Sequence, residues 1–273
     1  MIAASVMHAA PVVADPLGVA QWLLIVATGG GVGFLGGMFG KGGSAIATPI
    51  LAAIGVPPII AVASPLPATI PGTLVAHRRY RGGGWSNPRV VRWSIAFGLP
   101  ATIAGALLTR WIGGGFLVKV TDAVVALLGL RVLLGKRRSS VTDACSIGDP
   151  TVPVVASVTR LAAVAVPVGF LAGLLGNAGG FMLVPLYLAV LRLPIKSALA
   201  SSLAVASVLA VPGTVVHAAL GHIDWRVAAV FGAASIPLSS LGARTALRMD
   251  GGRLETVYGA GLLLLGATLL FVG

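Results

Sequence analysis

The chain contains the glycine-rich octapeptide Gly33-Phe34-Leu35-Gly36-Gly37-Met38-Phe39-Gly40, from which its architecture can be predicted. It recurs as Gly169-Phe170-Leu171-Ala172-Gly173-Leu174-Leu175-Gly176, so the two copies lie 136 residues apart (33 to 169). The same offset pairs Pro49 with Pro185 and Pro58 with Pro194, and an offset of 137 pairs Pro100 with Pro237 and Gly105 with Gly242. Similarity that extends over most of each half indicates a duplicated unit.

The composition indicates that these units lie in a membrane. Of 273 residues, 57% are hydrophobic and 10% are charged, and the mean hydropathy is +1.00. Soluble domains contain about 25% charged residues, so a water-soluble core does not account for so much apolar surface. At about 20 residues for each span, roughly eight to ten membrane segments fit the chain. The 38 glycines and 17 prolines favour helices that are broken rather than straight.

Apolar runs bounded by charges, glycines or prolines give ten candidate segments: 17–39, 43–56, 59–76, 90–109, 116–134, 153–175, 180–191, 196–219, 227–247 and 254–272. Segments 43–56 and 180–191 are too short to cross the hydrocarbon, so each is expected to form a hairpin with the segment before it. Five segments in each copy are an odd number, which inverts the second copy in the membrane relative to the first. The predicted fold is therefore an all-α polytopic membrane protein of two inverted five-segment repeats, each opening with a Gly-rich broken-helix hairpin.

The domain limits and the orientation follow from these segments and from the charges. We expect an N-terminal segment at 1–16, a first repeat at 17–134, a cytoplasmic linker at 135–152 and a second, inverted repeat at 153–273. Positive residues are retained on the cytoplasmic side. Placing the linker inside puts 15 of the 19 Lys and Arg residues at that face, with Arg110, Lys119 and Arg226 near the other face and Lys41 undecided. Both termini are then extracytoplasmic.

Other classes of function find little support in the residues. Cys145 is the single cysteine, and no His/Cys cluster predicts a metal site. Neither a cofactor nor nucleic acid is expected, because the net charge of +12 sits in short clusters between apolar runs. A membrane enzyme would need a catalytic constellation that four scattered histidines and seven acidic residues do not form, so we do not expect an enzyme.

The repeated glycine cluster is the candidate site. A glycine cluster directly before a short helix, twice and at matching positions, is what a ligand site made of two half-helix N-termini requires. The alternative is that the glycines only let helices pack closely, and for a single glycine that alternative is equally good. Inverted repeats of this kind are typical of secondary transporters, whose substrate binds near the membrane midplane.

The two Gly-rich stretches continue to Pro49 and Pro185 and are followed by small-residue helices around Ser64 and Ser201-Ser202. With the polar turn Gly221-His222-Ile223-Asp224-Trp225 and the central basic loop, they resemble the sulfite exporter TauE/SafE family. The resemblance covers nearly the whole chain and implies a multi-pass transporter in the bacterial inner (cell) membrane. It implies export of sulfite or a small organosulfonate such as sulfoacetate. The first-half stretch Gly83-Gly84-Trp85-Ser86-Asn87 lacks the acidic residue, so we expect no duplicate of the role of Asp224.

Such an anion needs hydrogen-bond donors and positive potential. Backbone N–H groups at the helix starts supply both, and glycine allows close approach. Lys41 adds a charge unless it only anchors its hairpin at the interface, and its repeat counterpart Asn177 offers an amide. The candidate substrate-binding residues are Gly40, Lys41, Gly42, Gly43, Ser64, Gly176, Asn177, Gly179, Gly180, Ser201 and Ser202. Ser44, Thr48, Thr69 and Ser207 are further hydroxyl residues that either line the pathway or bond their own helix backbone.

Three titratable residues are candidates for ion coupling. Asp122 lies inside an apolar segment, where an ionisable group is by default functional, although a pair with Lys119 one turn away explains it equally well. His77 and His217 both follow a Pro-Gly-Thr stretch and titrate near neutrality, although interfacial histidines are more often structural. The expected partners are the small anion and the lipid bilayer, and the sequence is also compatible with a homodimer. An anion channel, or a carrier for another small anion such as a carboxylate or sulfate, is the alternative function.

Overall fold

The structure is a computed structural model that describes residues 17–40, 44–108, 157–174 and 178–272. In these ranges every regular element is an α-helix and no strand occurs, which confirms the all-α class. The helices are α1 (Val19–Phe39), α2 (Ser44–Ala53), α3 (Pro58–Ala63), α4 (Leu66–Gly82), α5 (Pro88–Leu108), α6 (Val158–Leu174), α7 (Gly180–Ala189), α8 (Ile195–Ala219), α9 (Trp225–Arg248) and α10 (Gly251–Val272).

Five helical units within the described residues are long and apolar enough to cross a membrane. They are α1, α3 together with α4, α5, α8 and α9. The two segments expected to be short form the helices α2 and α7, which have 10 residues each. Segment 116–134, the N-terminal residues 1–16 and the linker 135–152 lie outside the described residues.

The segment expected at 59–76 differs from the observed helices. It is interrupted between α3 and α4, because Pro65 and Pro67 cannot donate hydrogen bonds to the carbonyls of Ala61 and Ala63. It also continues to Gly82, past the last apolar residue. Arg78, Arg79 and Arg81 are good helix formers, so the helix extends beyond the point at which its hydrophobicity ends.

The helices α1 and α9 pack with their backbones in contact. Gly29, Gly33 and Gly37 lie on one face of α1, four residues apart. A Cβ atom on Gly33 would overlap the carbonyl of Ser235, and one on Gly37 would overlap the carbonyl of Ser239. On Gly29 it would lie 2.7 Å from the Phe231 carbonyl oxygen. The numbers of the contacting residues rise together along both helices, so α1 and α9 are parallel. Only glycine allows the two backbones to lie this close together.

The helices α5 and α6 pack in the same way. A Cβ atom on Gly169 would overlap the carbonyl of Gly98, and one on Gly173 would overlap the carbonyl of Thr102. These contacts correspond to those that Gly33 and Gly37 make with α9. The equivalent glycines differ by 136 in residue number, and their partners differ by 137 (235 and 98, 239 and 102). The helices α5 and α6 are therefore also parallel.

Between the two parallel pairs lie α4 and α8, which contact each other. The Nδ1 atom of His77 on α4 lies 2.9 Å from the Ala200 carbonyl oxygen at one end of α8. At the other end, the Leu66 side chain lies 3.9 Å from the Cβ position of Gly213. The residue numbers run in opposite directions, so α4 and α8 are antiparallel. The helix α4 also packs on α9, and α8 also packs on α5.

We predict that a side chain at Gly37 separates α1 from α9. Gly37→Val forces a branched side chain into the Ser239 backbone, and overpacking of this kind costs about 1–3 kcal/mol. Gly31→Val is the matched control on the same helix, because Gly31 is exposed and its Cβ would meet no atom within 4 Å. Thermal unfolding of the purified proteins in detergent should show a lower unfolding temperature for Gly37→Val alone. Equal temperatures for both variants would contradict this packing.

Candidate functional site

Two serines at equivalent positions hold the turns before α5 and α9. The Ser64 hydroxyl oxygen accepts a hydrogen bond from the backbone N–H of Asp224 at 3.0 Å. The Ser201 hydroxyl oxygen accepts one from the backbone N–H of Asn87 at 3.5 Å. Both serines are fully buried. Because Ser201 lies near the C-terminal end of α4 and Ser64 precedes its N-terminal end, the two serines are at opposite ends of the α4–α8 pair.

The turn residues themselves cap the next helix. The Asp224 carboxylate accepts hydrogen bonds from the N–H groups of Arg226 and Val227 at 2.8 and 3.2 Å. The Asn87 amide oxygen accepts the equivalent bonds from Arg89 and Val90 at 3.1 and 3.2 Å. The expectation that the role of Asp224 has no duplicate is therefore wrong. Asn87 is the counterpart, one residue later than the sequence comparison placed it, and N-capping accepts either side chain.

The predicted first hairpin tip begins at Gly40, which ends α1 in the left-handed conformation (φ 70°). Its N–H donates to the carbonyl of Gly36, and its carbonyl accepts a hydrogen bond from the Ser202 hydroxyl at 3.3 Å. A Cβ atom on Gly40 would lie 2.6 Å from the Ser202 hydroxyl oxygen and 2.9 Å from a Val184 methyl. Gly40 and Ser202 are thus brought together, and the end of α1 lies against α7 and α8. Residues 41–43 of this tip, including Lys41, Gly42 and Gly43, lie outside the described residues.

The predicted second hairpin tip enters α7 through Gly179, which is also left-handed (φ 66°). Its carbonyl accepts hydrogen bonds from the N–H groups of Met182 at 3.0 Å and Leu183 at 3.1 Å. Gly179 and Gly180 are buried, and the Cβ position of Gly179 lies 3.0 Å from the Ala172 Cβ atom and 3.1 Å from a Val168 methyl on α6. Gly176 and Asn177 lie outside the described residues.

The candidate coupling residues do not meet. The Nδ1 atom of His77 donates to the Ala200 carbonyl, which can only accept, near one end of α8. The Nδ1 atom of His217 lies 3.2 Å from the Nδ1 atom of His222 at the other end. Burial lowers the pKa of His222, which lies in the turn after α8. Asp122 lies outside the described residues.

A small cavity lies between α1, α4, α8 and α9. It has about 20 Å³ of free space, which is room for about one water molecule. Sequence reasoning named Thr69 among its hydroxyl residues but missed Thr73, Ser235 and Ser239. The signal was present, since Thr69 and Thr73, and likewise Ser235 and Ser239, are four residues apart and share a helix face. The lining residues are Val32, Gly33, Gly36, Gly37, Ala68, Thr69, Gly72, Thr73, Leu203, Phe231, Ser235 and Ser239.

Comparison with known proteins gives the family. Residues 25–269 match the family model described as "Sulfite exporter TauE/SafE". This chain is a member of the TauE/SafE family. The family assignment and the apolar helices together make it a multi-pass membrane protein.

Two relatives of this TauE/SafE protein come from Xylella fastidiosa, and each is described as a "Probable membrane transporter protein". The relative from strain 9a5c is 30% identical over 248 residues, which cover 87% of this chain and 90% of the relative. The relative from strain Temecula1 is 28% identical over 245 residues, with the same coverage. The Bacillus subtilis "Probable membrane transporter protein YunE" is 31% identical over 111 residues, 41% of each chain. No solved structure matches the chain.

Among the described residues of this TauE/SafE protein, no group of three or more His, Cys, Asp or Glu side chains is placed to hold a metal ion. The candidate residues separate into distinct groups instead. Gly40 and Ser202 are hydrogen-bonded, Ser201 and Ser64 hold opposite turns, and Gly179 and Gly180 start α7. The hydroxyl-lined cavity is a further feature beside α1, and its residues come from four different helices.

We predict that Asp224 acts as a helix cap whose charge is dispensable. Asp224→Asn should leave the unfolding temperature of the purified protein near that of the wild type, because Asn87 makes the same bonds in α5. Asp224→Ala should lower the stability by about 1 kcal/mol, since two N–H groups at the start of α9 lose their acceptor. A drop for Asp224→Asn as large as that for Asp224→Ala would show that the charge itself is required.

Proposed function

We propose that this TauE/SafE protein is a secondary transporter that exports a small anion, sulfite or a small organosulfonate, across the bacterial inner membrane by alternating access. The observation that carries this proposal is the recurrence, within the described residues, of the main helix contacts in the two halves of the chain. The α1–α9 contact corresponds to α5–α6, the Ser64–Asp224 bond corresponds to Ser201–Asn87, and α4 and α8 contact each other between them.

The directions of the helices support an inverted repeat. The helix α1 is parallel to α9, and α6 is parallel to α5. The helix α9 is parallel to α4, because Gly232 and Ser239 lie beside Ala68 and Gly72. The helix α5 is parallel to α8, because Asn87 and Gly98 lie beside Ser201 and Leu209. Since α4 and α8 are antiparallel, the corresponding helices α1 and α6 run in opposite directions. Two inverted halves that meet at α4 and α8 can rock against each other, which exposes a central site to each side of the membrane in turn.

The anion-binding site in this proposal lies at the two hairpins. The N-terminal end of α7 carries the positive end of its helix dipole, and its first residue, Gly180, has no side chain to keep a ligand from the backbone. In the first hairpin Gly40 ends α1 and its N–H is bonded to the Gly36 carbonyl, so we assign the donors there to residues 41–43. Lys41 contributes attraction to the anion rather than chemistry.

The orientation in the proposal follows the positive charges. Arg79 on α4 donates to the Ser240 hydroxyl at 3.0 Å, and Lys196 at the start of α8 donates to the Leu247 carbonyl at 3.1 Å. The basic ends of α4, α8 and α9 therefore lie together at one end of the helix bundle. We assign this end to the cytoplasm, because positive residues are retained there.

This orientation predicts that the basic linker is inaccessible from outside the cell. A single cysteine introduced as Ser139→Cys in a Cys145→Ser background should react with a membrane-impermeant thiol reagent only after the membrane is permeabilised. A cysteine introduced at Gly221, in the turn before α9, should react in intact cells and serves as the control. The reversed pattern of labelling would overturn the orientation.

The hairpin site predicts graded effects of substitution on transport. Gly43→Val and Gly180→Val should abolish anion flux in vesicles, because a branched side chain blocks access to the backbone donors. Lys41→Gln should weaken the apparent affinity, and Lys41→Glu should weaken it further by placing like charge beside the anion. Gly252→Val is the control, because Gly252 is exposed and its Cβ would meet no atom within 4 Å.

The substrate itself can be identified with the same purified proteins. Sulfite or sulfoacetate should raise the unfolding temperature of the wild type more than taurine, sulfate or carboxylates at equal ionic strength, since a bound ligand stabilises by mass action.

Two outcomes of the substitution experiment would contradict the hairpin site. Full transport by both valine variants would show that Gly43 and Gly180 do not form part of the anion site. Unchanged affinity in Lys41→Glu would place Lys41 away from the pathway.

A further inference from the structure

We infer that the cavity between α1, α4, α8 and α9 is a binding site for one monovalent cation, and that Na⁺ is the ion it fits. This site is distinct from the anion site at the hairpins. The role of the cation as the coupling ion rests on the proposed transport function, whereas its binding does not.

The hydroxyl groups of the cavity present lone pairs, because their protons are already used. The Ser239 hydroxyl lies 2.9 Å from the Ser235 carbonyl oxygen and 3.1 Å from that of Gly33. The Thr73 hydroxyl lies 2.7 Å from the Thr69 carbonyl oxygen. A carbonyl oxygen can only accept, so each hydroxyl is the donor in these pairs.

The other two hydroxyl groups behave alike. The Thr69 hydroxyl donates to the Pro65 carbonyl at 3.1 Å, and the Ser235 hydroxyl donates to the Gly232 carbonyl at 3.5 Å. What remains on all four side chains is acceptor capacity. The lining therefore suits a ligand that brings positive charge or protons, and it does not suit an anion.

The helix α1 gives the cavity a negative potential. Gly36 and Gly37 line the cavity and lie in the last turn of α1, which ends at Phe39. The C-terminal end of a helix carries the negative end of the helix dipole, and this effect acts within the last turn. A cation is therefore favoured at this position over a neutral water molecule.

Charge and size limit the ion further. No acidic or basic side chain lines the cavity, so a divalent ion would lack the carboxylates that it requires. The free space of about 20 Å³ holds one small ion or one water molecule, whereas sulfite has four heavy atoms. A small hard monovalent cation with neutral oxygen ligands satisfies both limits.

The second half of the chain keeps one of the four hydroxyl groups, since Thr102 is the counterpart of Ser239, and lacks the other three. At an offset of 137, the positions of Thr69, Gly72 and Thr73 are taken by Ala206, Leu209 and Ala210. The Leu209 methyl groups lie 3.3 and 3.4 Å from the Cβ position of Gly98, the residue that corresponds to Ser235. Apolar groups fill this place, so a duplicated scaffold carries a single cation site.

The test measures ion binding in the absence of any anion substrate. Thermal unfolding of the purified protein is followed by intrinsic fluorescence in NaCl, KCl and choline chloride at equal ionic strength. For the wild type, Na⁺ should raise the unfolding temperature by a few degrees in a saturable way, and choline should not. Equal unfolding temperatures in NaCl and choline chloride would overturn the proposal and leave a cavity that holds water alone.

Matched variants assign the Na⁺ effect to the cavity. Thr73→Val should abolish it, while Thr102→Val should retain it. Both threonines are buried and donate to the carbonyl four residues earlier, but Thr102 does not line the cavity. Gly72→Ala gives an independent variant in case Thr73→Val fails to fold. Its methyl group would lie 3.3 Å from the Ser239 hydroxyl oxygen and should remove the Na⁺ effect without removing a hydroxyl.

The outcomes separate this site from the proposed anion transport. A Na⁺ shift that persists in Thr73→Val or Gly72→Ala would place the ion elsewhere and overturn the assignment. The shift produced by sulfite or sulfoacetate in choline buffer is measured on the same variants. If the anions raise the unfolding temperature of the wild type but Na⁺ does not, the cation proposal is wrong and the proposed anion transport is unaffected. If Na⁺ raises the unfolding temperature but neither anion does, the cation site is supported and the proposed transport of these anions is not.

Discussion

Backbone contact between parallel helices, at glycine, fixes the arrangement of the described helices in both halves. In a membrane, apolar side chains do not drive helices together, because lipid tails are as apolar as leucine, so close packing and polar contacts hold the helices. Gly33 and Gly37 bring α1 against α9, and Gly169 brings α6 against α5. This contact brings the Gly33 carbonyl within reach of the Ser239 hydroxyl, and it leaves α4 and α8 as the layer between two rigid pairs.

The two halves share this scaffold and differ in the groups that it carries. Ser64 and Ser201 hold equivalent turns, and Asp224 and Asn87 cap equivalent helices. Beside α1, four hydroxyl groups surround a small cavity, whereas the corresponding positions beside α6 keep the Thr102 hydroxyl alone and otherwise carry alanines, Gly98 and Leu209. A scaffold of this kind separates two tasks, since the hairpins in both halves are available for the proposed anion and the hydroxyl groups of one half for the inferred cation.

Much of the fold could be predicted because hydrophobic length and helix-breaking residues are local properties of the sequence. The long helices and the two short ones follow from apolar runs that end at charges, glycines or prolines. The partners of the glycines could not be predicted, because the same cluster permits either a ligand or another helix to approach. Gly33 and Gly37 contact α9, and no local sequence pattern identifies Ser235 or Ser239 as their partners. The counterpart of Asp224 was misplaced by one residue, since only the capping geometry fixes the register. Likewise, His77 and His217 have the same sequence context but lie at opposite ends of α8.

We propose that the two halves form a carrier for a small anion rather than a channel or a packing scaffold. The most direct measurement is exchange of labelled sulfite in proteoliposomes, with unlabelled sulfite either present or absent on the opposite side. A carrier must return its site across the membrane, so we predict saturable efflux that becomes faster when unlabelled sulfite is present outside. Flux that rises linearly with concentration and does not depend on sulfite on the opposite side would indicate a channel and contradict the carrier proposal. Flux equal to that of protein-free liposomes would contradict sulfite transport altogether.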